Sequence, residues 1–183
     1  MRYIFLFAIS LGIQFNAFAQ DNPDYLLWNA SHKLSVDDFG IKKGSSVSGL
    51  CFATITLDHN VNGFDFMTKN FNKKVKNFII KSASWIDTTQ YIDASLRYQQ
   101  ALFDIAEIYA RQFRKELKEN RKQIAKSLKI VEDINSRISS EFAKRRLQFE
   151  TETNAGNEAD KLLQWEQQIQ QELNALGDYE YNK

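Results

Sequence analysis

The chain has 183 residues, 43% of them hydrophobic and with 14 Phe, 7 Tyr and 3 Trp, enough apolar mass for one packed domain and too much for a disordered chain. Its 24 basic and 23 acidic side chains leave a formal charge of +1, which gives a nucleic-acid partner no electrostatic support. A single cysteine, Cys51, excludes an intramolecular disulfide and a cysteine-based zinc site.

Residues 1–19 open with Arg2, continue through an apolar run from Tyr3 to Ile13 and close on Ala17-Phe18-Ala19. That is the small-x-small pattern of a signal-peptidase site, and the run is short for a bilayer span. It predicts an exported protein, periplasmic or secreted, with Gln20 as its first mature residue. Nothing later in the chain is long and apolar enough to cross a bilayer, so no transmembrane segment is expected after cleavage. Residues 20–183 read as one domain.

Tyr25-Leu26-Leu27-Trp28 predicts a first strand, and Ser35 with Asp38 three residues on predicts a capped short turn ending at Phe39-Gly40. The Gly/Ser/Lys stretch from Ile41 to Ser48 is a connector, since no Gly-Lys-Ser/Thr follows Gly44-Ser45-Ser46. Leu50 to Asp58 alternates Phe52, Thr54 and Thr56 against Cys51, Ala53, Ile55 and Leu57, a half-buried strand in which Cys51 is expected as an inert core thiol. His59 to Gly63 reads as a turn. Phe64 to Phe71 and Val75 to Ile80 complete an antiparallel meander. Lys69, Lys73, Lys74, Lys76 and Lys81 make this region basic; the solvated face or edge of a sheet accounts for them better than an anionic partner.

Ser95 to Leu117 carries Leu96, Phe103, Ala106, Ala110, Phe113 and Leu117 on one helical face, with Asp93 or Ser95 as N-cap. A charged cluster from Lys115 to Lys122 ends or bends this helix, and Ile124, Leu128, Val131, Ile134, Ile138, Phe142 and Phe149 mark a second amphipathic stretch. Periodicity alone allows either a hairpin or a continuous rod. A last helix spans Asn157 to Leu176, with Leu162, Trp165, Ile169 and Leu173 on its apolar face and Gly177 as its cap. His32 and His59 are the only histidines; both fall in expected turns without a partner at ligand spacing and read as surface residues.

Gln100, Phe103-Asp104-Ile105 and Glu107-Ile108-Tyr109-Ala110-Arg111 match a helix of the form H-E-Q-x-H-F-D-I-x-E-I-Y-A-R. Phe149-Glu150-Thr151-Glu152-Thr153-Asn154-Ala155-Gly156 is similar to Y-D-x-E-T-x-H-G, and Trp28 with Lys33 to Phe39 is similar to W … L-[TS]-W-x-D-F, with Val36 at the second tryptophan. In these stretches the chain resembles the domain of unknown function 922 family of secreted zinc-dependent proteases. The resemblance implies a zincin-like α+β fold: a small antiparallel sheet, then a long helical hairpin, then a C-terminal helix. It also implies that the hairpin brings residue 155 back towards residues 98 and 102.

The chemistry of that family is absent from the matching positions. The two histidine ligands fall on Tyr98 and Leu102, the general base on Gln99 and the third histidine on Ala155. An H-E-x-x-H helix works because two imidazoles one turn apart hold zinc and a carboxylate activates water. A phenol, an amide, an isobutyl group and a methyl group do not replace them. The expectation is therefore a pseudoenzyme without catalytic residues, metal or other cofactor, which binds or regulates an unidentified protein or peptide partner. Two rivals stand beside it: a hydrolase using Tyr98 with Asp104 or Glu107, and a helical assembly protein. Asp104 and Glu107 themselves are expected to pair with Arg111 or Arg114.

Overall fold

The computed structural model describes residues 22–44, 51–62, 64–67 and 70–182. The expected signal segment, its cleavage site and the connector residues 45–50 lie outside them. The remainder is an α+β fold of four strands and four helices.

The sheet is organised on β4 (Val75–Asp87), whose 13 residues outlast every partner. β3 (Cys51–His59) runs antiparallel along one edge of it, from His59↔Val75 to Cys51↔Ile86. The other edge is shared by two short strands. β1 (Tyr25–Leu27) pairs antiparallel with Phe78 to Ile80, and β2 (Ile41–Lys43) pairs parallel with Trp85 to Asp87. The sheet is therefore mixed, which corrects the antiparallel expectation. The cause is the chain between β1 and β2. It leaves the sheet through the Ser35–Asp38 capping box, in which the Ser35 backbone N–H donates to the Asp38 carboxylate (2.8 Å), and re-enters in the opposite direction. Re-entry needs Gly40, because a Cβ there would lie 2.7 Å from the Lys81 carbonyl oxygen.

Three further expectations are corrected. Phe64 to Phe71 contributes no strand among its described residues; it holds a 3-10 turn at Asp65–Met67, and another follows at Asn72–Lys74. Asn62 and Asp65 cause this: the Asp65 carboxylate accepts the Asn62 N–H (2.8 Å) and the Asn62 side chain accepts the Phe64 N–H (3.0 Å), competing with any ladder. His59 ends β3 rather than sitting in a turn, and its ring meets that of Phe113 at 5.3 Å. The first long helix begins at Ile92, with Tyr91 at φ 52° as its N-cap and no capping side chain, so neither Asp93 nor Ser95 caps it.

That helix, α1 (Ile92–Glu119), is the centre of the molecule. It packs on β3 and β4 on one side and on α3 (Lys129–Glu152) and α4 (Ala159–Ala175) on the other. Burial from both sides explains why Gln99, Glu107, Arg111 and Arg114 are buried together with the apolar stripe. The chain reverses through Asn120, the short α2 (Arg121–Ile124) and Leu128, so the two long helices form a hairpin. Three contacts fix its antiparallel register: Glu116 with Arg137, Tyr109 against Phe142 at 5.7 Å, and Tyr98 stacked on Phe149 at 5.2 Å. The buried face of α4 is Leu162, Trp165, Ile169 and Leu173, as the periodicity predicts. Leu176 caps it, and Gly177 instead opens a 3-10 turn.

Candidate functional site

Tyr98, Gln99, Leu102 and Ala155 line one cleft of about 550 Å³. Its floor is the first half of α1, one wall is Cys51 and Phe52 at the start of β3, and the other is Arg146 and Glu150 near the end of α3 with the turn that follows. The hairpin thus sets residue 155 across from residues 98 and 102.

The turn is held in an uncommon backbone conformation. Asn154, Ala155 and Gly156 have φ of 48°, 53° and 90°, three successive residues in the region that disfavours a Cβ. Thr153 fixes it: its hydroxyl donates to the Phe149 carbonyl (2.7 Å) and accepts the Gly156 N–H (3.2 Å). The Ala155 N–H donates to the Glu150 carbonyl (2.8 Å) and the Glu158 N–H to that of Thr153 (2.9 Å). Gly156 is needed twice. Besides its φ, a Cβ there would lie 3.0 Å from Cβ and Cδ2 of Tyr98. The Tyr98 ring is consequently clamped between Gly156 and Phe149.

The electrostatics of the cleft are those of a neutral site. Burial, then the Glu150 carboxylate, pushes the Tyr98 phenol up to about 12. Burial pushes the Cys51 thiol up to about 12 as well. Cys51 is thereby held as a thiol at neutral pH, and it stands half-buried in the cleft wall, packed against the core. Gln99, 4% exposed, makes a long contact from its amide nitrogen to the Cys51 carbonyl (3.4 Å). Arg146 and Glu150 pair with each other at 2.8 Å. The buried hydroxyl of Ser95, which also lines the cleft, has no hydrogen-bond partner among the described residues. Sequence reading missed Phe52, Ser95 and the Arg146–Glu150 pair as cleft residues. Only the left-handed turn had a local signal, the Asn and Gly of Asn154-Ala155-Gly156.

A zinc ion does not fit these residues. It needs three or four deprotonated donors converging on a point. The four positions supply one phenol, held protonated at neutral pH, an amide and two hydrocarbon groups. Among the described residues, no group of three or more His, Cys, Asp or Glu side chains is placed to hold a metal ion. His32, expected without a partner, lies 3.0 Å from the Asp38 carboxylate.

Asp104 and Glu107 stand apart from the cleft. Nine residues after Tyr98, Glu107 falls on the opposite side of a helix that turns about 100° per residue. It accepts from Arg111 (3.1 Å), Arg114 (2.8 Å) and the Asn77 amide (3.3 Å) in a fully buried cluster, as the pairing expectation had it. Arg114 also donates to the carbonyls of Val75 and Tyr179, and Arg111 to that of Leu173. Asp104 pairs with neither arginine: it accepts the Trp28 indole N–H (2.7 Å) and the Gln100 amide (2.9 Å), and burial raises its pKa. The geometry therefore brings Tyr98 together with neither acid. Compared with family models, curated proteins and solved structures, the chain matches none of them.

Proposed function

We propose that this chain is an exported, non-catalytic binding or regulatory protein on a zincin-like scaffold related to secreted zinc-dependent proteases, its cleft taking a peptide or protein segment by shape and apolar contact. The observation that carries the reading is the convergence of Tyr98, Gln99, Leu102 and Ala155 on a single cleft. Tyr98, Gln99 and Leu102 are neighbours on α1, so the support comes from Ala155, which the hairpin brings to the same cleft from the turn after α3.

The residues that carry the resemblance elsewhere give it further support, because each holds the fold together. Asp104 takes the indole of Trp28, Gln100 takes the Leu34 N–H (2.9 Å), Glu107 takes Arg111, and Glu152 takes the Trp165 indole (2.9 Å). Thr153 and Gly156 shape the turn beneath the cleft. The backbone at residue 155 also suits the family's residue better than its own: the left-handed region is several-fold enriched in His and adverse to Ala. A scaffold kept while its chemistry is replaced is the pattern of a pseudoenzyme.

The test is metal content and peptidase activity of protein purified without chelator or affinity tag, with a restored variant beside it. The parent should carry no stoichiometric zinc. Tyr98→His, Gln99→Glu, Leu102→His and Ala155→His together should create zinc affinity. One zinc per parent chain, lost together with hydrolysis in Tyr98→Phe, would overturn the reading. A folded quadruple variant that stays metal-free would overturn the match of positions.

A further inference from the structure

The hairpin turn lies about 33 Å along α1 from the cleft, 22 residues beyond Tyr98 at 1.5 Å each. The 3-10 turn Asp65–Met67 packs against α2 at this end. Asp65 is drawn inward, bonded to Asn62 and paired with Lys74 at 2.8 Å. That leaves Phe64 and Met67 pointing out, 77% and 70% exposed, the two most exposed large hydrophobic side chains among the described residues. They are three apart, and side chains at that spacing in a 3-10 turn align one above the other. Leu128, also exposed, adds a third apolar group from the neighbouring turn.

Arg121, Lys122, Lys126 and Lys129 lie on the same reversal, whose α2 packs on that 3-10 turn, with no acid from Asn120 to Val131. Among the described residues none of the four pairs with a carboxylate. The nearest acids in sequence, Glu119 on one side and Glu132 and Asp133 on the other, begin where the two long helices take over. In a chain of net charge +1, four unpaired cations on one short turn are a local concentration.

We infer that this end of the molecule docks on an anionic lipid bilayer, with Phe64 and Met67 entering the headgroup region while the cations of the α1–α3 turn meet lipid phosphates. A protein partner needs a complementary face of about 800 Å² on each side. Two or three protruding side chains do not offer one, whereas a bilayer interface accepts an apolar tip without matched shape. A nucleic acid would use the cations and leave Phe64 and Met67 idle. The lysine and arginine aliphatic stems can lie along the interface while their charges reach phosphate.

The test is flotation of the full chain with vesicles of phosphatidylcholine alone and of phosphatidylcholine with phosphatidylglycerol, at low and raised salt. Retention should favour the anionic vesicles and fall as salt rises. Lys122→Glu with Lys126→Glu should weaken it by more than about fivefold per position, since each charge is reversed as well as lost. Phe64→Ser with Met67→Ser should weaken it about tenfold while keeping the salt dependence. Residues 1–19 are common to every form and cancel in these comparisons. Equal retention on both kinds of vesicle, or variants that float like the parent, would overturn the proposal. So would salt-sensitive retention on DNA that matches retention on vesicles and is untouched by Phe64→Ser with Met67→Ser.

Discussion

Gly156→Ala is the sharpest perturbation of the cleft, because its cost can be worked from two independent parts. An L-residue in the left-handed region costs about 1–2 kcal/mol relative to glycine. The new methyl would then stand 3.0 Å from Cβ and Cδ2 of Tyr98, which belongs to a ring already stacked on Phe149 at 5.2 Å. Relieving the clash moves the ring and forfeits a stack worth about 0.5–1.5 kcal/mol. The lesser freedom of unfolded alanine offsets about 0.5–1 kcal/mol, leaving a cost of about 2 kcal/mol, or roughly 4–8 °C in melting temperature for a chain of this size. Ala155→Gly has the opposite sign. It removes a similar left-handed penalty at φ 53° and gives back about 0.5–1 kcal/mol through the greater freedom of unfolded glycine, for a rise of about 1–3 °C. Thermal unfolding of both, followed by circular dichroism, decides the matter. In a Tyr98→Ala background the Gly156→Ala cost should shrink by about 1 kcal/mol, since only the clash is shared. A Gly156→Ala melt within a degree of the parent, or an Ala155→Gly variant destabilised as much as Gly156→Ala, would refute the clamp on Tyr98.

Glu107→Gln leaves Arg111 and Arg114 buried without their carboxylate, which should cost about 3 kcal/mol and lower the urea midpoint by about 1.5 M. Glu180→Gln, whose contact with Arg111 is longer at 3.8 Å and partly exposed, should cost under about 1 kcal/mol in the same titration. The raised pKa of Asp104 means the unfolded chain gives up this proton more readily. Stability from this group is therefore present below the ordinary carboxylate range and lost as pH rises to the folded value. Asp104→Asn should gain relative to the parent over that interval in chemical unfolding, and a constant difference would contradict it. Cys51, held at about 12, should react with iodoacetamide at neutral pH at least about tenfold more slowly in the folded protein than in urea, and equal rates would contradict its burial.

The helices were legible because their signals are local. Leu162, Trp165, Ile169 and Leu173 share a face at the expected spacing, and all four are buried. The mixed sheet was not legible, because strand direction depends on how the chain returns after β1, and only the close approach of Gly40 to Lys81 permits that return. Nor does any spacing reveal that Asn62 and Asp65 trade backbone bonds and convert an apparent strand into a turn. Periodicity drew a single stripe on α1, whereas both sides are covered. Burial of Glu107, Arg111 and Arg114 comes from the second side, through carbonyls of Val75, Leu173 and Tyr179 far away in sequence.

The same two-sidedness separates Tyr98, Gln99 and Leu102 from Asp104 and Glu107 on α1. Asp104 and Glu107 face partners in two other segments and along α1 itself, so a change at either leaves an indole, a guanidinium or an amide without its acceptor. Such losses cost about 1–3 kcal/mol each and more for a charge, a sizeable share of a total of about 5–15 kcal/mol. The Leu102 side chain and the turn methyl of Ala155 line the cleft and carry no hydrogen bond, although Leu102 is also buried in the core. Gln99 has one long contact, and Tyr98 is held by ring packing alone. Exchanging Tyr98, Gln99 or Ala155 therefore breaks no short hydrogen bond of the fold, and exchanging Leu102 costs apolar packing alone. On the reading proposed above, the residues that survive carry the buried hydrogen bonds and ion pairs of the fold, and the four that differ are those that would have carried the chemistry.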